Sequence, residues 1–197
     1  SGYEIVSVQA NGVDAIKGSG NSYSTTVYGP VSICVETKEE GSVTIDPYEC
    51  TFTTGKNTDY SKTEEQTLGD ITWVLNANLQ SSVKLGGKGE IGDRYISTKT
   101  LFDNEVSKFT LYIGTVDAEI TVNSITLYAY GSLEDMNAGP DKAVSSVSGT
   151  ITDSIVSFQK PSGDSWDDVY FKVVFNLSNS KTDKNKGLTL TKAKVEF

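Results

Sequence analysis

The stretch "GLTLTKAKVEF", residues 187–197, decides how the chain reads. In steps of two, Leu188 and Leu190 are apolar on even positions, while Ala193, Val195 and Phe197 are apolar on odd ones. Side chains of a strand alternate between its faces, so the apolar side changes once, near Thr191 and Lys192. A β-bulge does this, and so does a corner at which a strand leaves one sheet for another. Either way the strand curves. Curved strands with apolar inner faces belong to closed or two-layer sheets, so this stretch is expected inside the body of a sandwich with Phe197 as a core residue.

The same pattern recurs upstream. In "AEITVNSITLYAYG", residues 118–131, Ile120 and Val122 fall in one phase and Ile125, Leu127 and Ala129 in the other, with the slip near Asn123-Ser124. In "DVYFKVVFNLS", residues 168–178, Phe171, Val173, Phe175 and Leu177 form a strict apolar set. Tyr170, Lys172, Val174 and Asn176 form the opposite set, which faces outward. "DITWVLNANL" puts Ile71, Trp73 and Leu75 on one face, which makes Trp73 a core residue. Asn11-Gly12 signals a hairpin, because both positions favour positive φ. Pro30 and Pro47 belong at strand starts or edges. One helical turn is expected around Asp103–Val106, and "GSLEDMNAGPDKAVSS", residues 131–146, is expected to be a polar loop. Regularly spaced short strands with turn signals read as an all-β sandwich or barrel.

Composition agrees with this. The 197 residues suffice for a domain with a sizeable core plus a small appendage. The apolar share is a low 37%, but 10% aromatics and plentiful β-branched residues separate the chain from disordered sequences. The net charge of −9 repels phosphate backbones and anionic membranes, so nucleic-acid binding is not expected. No stretch approaches the ~20 apolar residues of a membrane span. The chain opens on Ser1-Gly2 without methionine, so any targeting segment is expected to lie outside it.

Little here carries catalytic chemistry. The absence of histidine removes the Ser-His-Asp and Cys-His arrangements and every histidine zinc site. "GGKGEIG" reads as a turn and bulge, since no helix follows it to hold phosphate. A glycosidase needs two carboxylates, and Glu64, Glu65, Asp70, Asp93, Asp167 and Asp168 are available without forming a clustered motif. A noncatalytic protein is therefore expected. Cys34 and Cys50 lie in strand-like segments and are either bridged or free.

From about Cys50 onward the chain resembles a known module; the residues that carry the resemblance are "ECTFTTG", "LGDITWVLN", "LGGKGEIGDRYISTKTL", "VSKFTLYIGT", "EITVNSITLYAYG", "VSGTITDSIVSF" and the closing "LTLTKAKVEF". Together they resemble a jelly-roll module of extracellular proteins from gut and other bacteria, similar to carbohydrate-binding modules. The resemblance spans about residues 50–197, and "IGTVDAE" departs from the small-residue element usual at that place. It implies an all-β, two-sheet antiparallel jelly-roll sandwich over residues 48–197. Residues 1–47 would be a small β appendage, immunoglobulin-like or incomplete. It also implies that "YECTFTT" pairs with "LTLTKAKVEF", and that the protein is extracellular or at the cell surface.

Sugar binding calls for exposed aromatics beside polar side chains. Trp166, in the polar loop "SGDSWDD", is the first candidate, unless it packs as a lid over one end of the sandwich. Tyr170, Tyr95 and Arg94 follow, and Tyr128 and Tyr130 are placed to line an outer sheet face. Asp164, Asp167 and Asp168 could hold a structural calcium, by analogy with the family. "DKNKG" copies the start of a calcium loop, but Lys194 stands where the glutamate should be. The expected function is a noncatalytic module that binds polysaccharide or acts as a spacer. The alternatives are an adhesin- or fimbria-like subunit that binds protein partners and, remotely, a carboxylate glycosidase.

Overall fold

The closing stretch is a strand in the middle of a sheet, and its phase slip is a bulge. The computed structural model describes residues 3–20, 22–26, 28–39 and 45–197. The chain divides into two units, Ser1–Ile45 and Asp46–Phe197.

The first unit holds β1 (Tyr3–Ala10), β2 (Val13–Asp14), β3 (Ile16–Lys17), β4 (Tyr23–Ser24) and β5 (Ile33–Glu39). Strands β2-β1-β5 form a three-stranded antiparallel sheet, and β3-β4 form a separate pair. Ala10 pairs with Val13, so Asn11-Gly12 is the two-residue hairpin turn that the sequence signals; φ is 54° and 78° at the two positions. β1 shifts register between Ile5 and Ser7.

The second unit holds β6 (Tyr48–Thr51), β7 (Glu64–Leu68), β8 (Ile71–Leu75), β9 (Val83–Gly87), β10 (Glu90–Thr98), β11 (Lys108–Val116) and β12 (Ile120–Tyr130). A helix α1 (Leu133–Ala138) and a 3₁₀ turn (Pro140–Lys142) follow. Then come β13 (Ser145–Gly149), β14 (Ile155–Gln159), β15 (Tyr170–Asn179) and β16 (Lys186–Glu196). One sheet has six strands in the order β13-β12-β15-β10-β8-β7. The other runs β14-β11-β16-β6, with β9 also paired to β16. Setting β7, β8 and β9 aside leaves eight strands in chain order. Their first, eighth, third and sixth members lie side by side in one sheet, and their second, seventh, fourth and fifth in the other. That connectivity is a jelly roll.

The bulge in β16 has a structural task. Across from β11 the register jumps from Tyr112–Lys192 to Ile113–Leu190, so Thr191 is the extra residue. On the other edge, β9 pairs with Lys186–Leu190 and β6 with Lys192–Val195. The partner changes at the bulge, where the Thr191 carbonyl accepts a bond from Phe52 N–H at 2.9 Å. The expected pairing of "YECTFTT" with the terminal strand is present through Tyr48–Val195, Glu49–Lys194, Cys50–Ala193 and Thr51–Lys192. The second slip is a bulge at Asn123 in β12.

Both sheets bury their apolar phase in one core, with Trp73, Leu75, Phe109, Leu111, Phe158, Phe171, Phe175 and Val195 fully buried. The Phe197 ring is partly buried, with its centroid 6.3 Å from that of Phe102. Gly86 faces Gly187 across β9 and β16, and a Cβ on Gly86 would lie 2.0 Å from the Lys186 carbonyl oxygen. In "GGKGEIG" that glycine therefore serves close strand approach, and the register shift between Glu90 and Gly92 supplies the bulge.

The helix is not at the expected place. Asp103–Val106 is irregular, while Leu133–Ala138, expected as loop, forms α1. Ser132 caps it by accepting from Asp135 N–H at 3.1 Å and donating to the Asp135 carboxylate at 2.6 Å. The sequence signal is Ser-x-x-Asp before Met136, a serine N-cap with an acidic residue in the first turn.

Candidate functional site

The strict alternation of β15 creates the site. Its apolar set fills the core, which turns Tyr170, Lys172, Val174 and Asn176 to the outer face of the six-stranded sheet. Register then fixes their neighbours. Ser97 and Tyr128 flank Lys172, Tyr95 and Thr126 flank Val174, and Asp93 and Ser124 flank Asn176. Tyr170 stands opposite Tyr130.

The connection through α1 and the 3₁₀ turn shapes two cavities on this face. One, of about 210 Å³, is lined by Val74, Tyr95, Ser97, Leu133, Met136 and Lys172, and by the charged pair Glu65 and Lys99. The other, of about 290 Å³, is lined by Asp93, Tyr95, Tyr128, Tyr130, Pro140 and Lys172. Tyr95 and Lys172 belong to both. Lys172 Nζ lies 4.5 Å from the centroid of the Tyr95 ring. Burial lowers the pKa of this amine, and the nearby Asp93 charge partly opposes that. Asp93 accepts a hydrogen bond from Asn176 Nδ2 at 2.7 Å, and Asn176 accepts one from Asn123 Nδ2 at 2.9 Å. The Tyr128 and Tyr130 rings lie 6.2 Å apart. Tyr130 is 1% exposed, and burial raises its phenol to about 12. Aromatic faces beside amides, hydroxyls and one ammonium can stack on a ring and hydrogen-bond its polar rim.

Four sequence-derived candidates need correction or placement. Trp166 is fully buried and does not offer a stacking face. Its ring packs edge-on against Phe171, with centroids 5.3 Å apart, so the lid reading holds. The loop is pinned from below: Glu105 accepts from Trp166 N–H and Ser165 Oγ, and Lys160 pairs with Glu105 and holds its carboxyl below the usual range. Arg94 does not face the cavities either. Its Nε donates to the Gly86 carbonyl at 3.0 Å and its Nη1 to that of Asp93 at 2.9 Å, so the guanidinium ties β9 to β10. Tyr95 lines both cavities. Tyr170 is on the same face, half-buried.

The aspartates at 164, 167 and 168 do not converge. The Asp164 carboxylate accepts from Ser145 Oγ, and among the described residues no group of three acidic or cysteine side chains could hold a metal ion. Cys34 and Cys50 are both free; Cys34 is exposed on β5, and Cys50 is buried in the second unit, where desolvation raises its thiol pKa. Among the described residues no helix is long and apolar enough to cross a membrane.

Lys172 belongs to the outward set of the sequence pattern, but sequence reasoning does not single it out. Nothing local marks it, because its partner Tyr95 lies on another strand and reaches it through the β10–β15 register. Compared with protein-family models, curated proteins and solved structures, the chain matches none.

Proposed function

We propose that the second unit is a noncatalytic glycan-binding module whose binding surface is the outer face of the six-stranded sheet. The observation that carries this reading is the cavity lined by Tyr95, Tyr128, Tyr130 and Pro140 together with Lys172 and Asp93. A pyranose presents an apolar C–H face and a polar hydroxyl edge, and this surface offers a complement to each. The extracellular or cell-surface setting follows from the resemblance to bacterial jelly-roll modules and belongs to the same proposal. A glycan array probed with wild type, Tyr95→Ala and Tyr128→Ala tests it. Retention by wild type that both variants lose supports the reading; equal retention by all three removes it.

A second reading, an assembly or adhesin subunit, has one observation in its favour. Within the first unit, Val13, Ile33 and Val35 are exposed, with Ile33 at 66%. Among the described residues β5 pairs only with β1, which leaves its other edge free for strand addition. Oligomers that grow with concentration and disappear with Ile33→Lys would support it, and a monomer at every concentration would count against it.

A further inference from the structure

We infer that the ligand of the outer face carries a single carboxylate and that the Lys172 ammonium reads it; this inference rests on the glycan reading above. Lys172 is set apart from the other half-buried lysines of the described residues. Lys84 pairs with Asp117 at 2.7 Å, Lys108 with Glu196 at 3.4 Å and Lys186 with Glu119 at 3.0 Å. Lys194 pairs with Glu196 at 2.7 Å, and Lys160 pairs with Glu105. Lys172 is in no salt bridge among the described residues and rests on the Tyr95 ring instead. Taking an ammonium out of water is costly, and an aromatic face returns only part of that cost. An anion arriving at this position would supply the missing partner through a charge-assisted hydrogen bond.

The neighbouring charges leave room for such an anion. Glu65, which lines the smaller cavity, is matched by Lys99 at 2.9 Å. That leaves the Lys172 charge in excess there. Asp93 lines only the larger cavity, where its charge, held in place by Asn176, opposes an anion, so the carboxylate is expected to approach Lys172 from the smaller cavity. The other polar side chains lining the two cavities bear no formal charge: Ser97, Thr98, Asn137 and the phenols of Tyr95, Tyr128 and Tyr130. The chain as a whole carries −9, so a polyanion is repelled, whereas one charge on a neutral body is tolerated. The chemistry that fits is a neutral oligosaccharide bearing one acidic sugar, as a uronate branch or a terminal sialate.

Calorimetry on the full chain tests this with matched probes: a xylo-oligosaccharide with and without one glucuronate branch, and lactose with and without a terminal sialic acid. Whichever pair shows the preference identifies the source of the carboxylate. Wild type should prefer the acidic member of one pair by about tenfold or more, given the strength of hydrogen bonds to charged groups. Lys172→Met should bind both members alike at the neutral level, and Lys172→Arg should keep the preference. Circular dichroism confirms that the variants are folded. No preference in wild type, or a preference that survives in Lys172→Met, overturns the inference. If the neutral members still bind and Tyr95→Ala weakens them, the glycan reading stands. Tighter binding of polygalacturonate than of either singly charged probe also overturns it. If no probe binds and the wider array is blank, both readings fall.

Discussion

The ammonium of Lys172 lies 4.5 Å above the ring of Tyr95, on neighbouring strands of the six-stranded sheet. Both residues line each of the two cavities of the outer face. Tyr95 should therefore dominate any binding there. Tyr95→Ala is expected to weaken glycan binding by about 2 kcal/mol, roughly thirtyfold, as aromatic anchors of interfaces do. Its melting temperature should move little, because the residue is only half-buried. Calorimetry paired with a thermal melt separates the two effects.

Trp166 should behave in the opposite way. It packs at 0% exposure against Phe171, so Trp166→Ala should destabilise the fold by about 3–5 kcal/mol. Trp166→Phe should cost less. The indole Nε1 is buried without a hydrogen-bond partner, and phenylalanine removes that orphan donor. Urea unfolding measures both. A Trp166→Phe protein that is folded but no longer retains glycan would contradict the lid role.

The two sheets are joined by a polar link as well as by the core. Trp73 Nε1 donates to the Tyr48 phenol at 3.0 Å, and that phenol donates to the Leu68 carbonyl at 2.7 Å. Tyr48 belongs to the sheet of β16, Trp73 and Leu68 to the sheet of β15. Tyr48→Phe leaves the indole N–H without its acceptor and should cost about 1–3 kcal/mol in chemical denaturation.

Alkaline pH should loosen the protein. Burial raises the phenol of Tyr48 well above its ordinary value of 10.0 and that of Tyr130 to about 12. Both groups hold their protons more tightly when folded than when unfolded. Their contribution is thus fully present below about pH 10 and is lost as pH rises through the folded values. Denaturation midpoints should fall between about pH 10 and 12, and Tyr130→Phe should flatten part of that fall. A midpoint independent of pH in this range would count against it.

The thiols give a simple count. Cys34 is exposed and Cys50 buried, and both are free. A thiol reagent should modify one cysteine in the native protein and both in denaturant. No reaction in denaturant without a reductant would instead mean that the two are bridged.

Gly86→Ala tests the close approach of β9 and β16. The new Cβ would sit 2.0 Å from a backbone oxygen, which no side-chain rearrangement relieves. A loss of at least about 2 kcal/mol is expected, seen as a lowered melting temperature with unchanged strand content.

Much of the fold was legible because side-chain period and strand register are local quantities. The slips near Thr191 and Asn123, the inward set of β15 and the Asn11-Gly12 turn are all written in runs of a few residues, and each is present. Trp166 and Arg94 show where local reading stops. A polar loop around Trp166 says nothing of Phe171, which waits beneath it, and Arg94 beside Asp93 says nothing of the Gly86 carbonyl that claims its guanidinium. The sequence alone determined that the strands alternate and therefore layer, since burial of every second side chain needs only the pleat. Only the tertiary structure decided that Tyr95, Tyr128 and Lys172 share one surface, because their meeting depends on which strands pair and in what register.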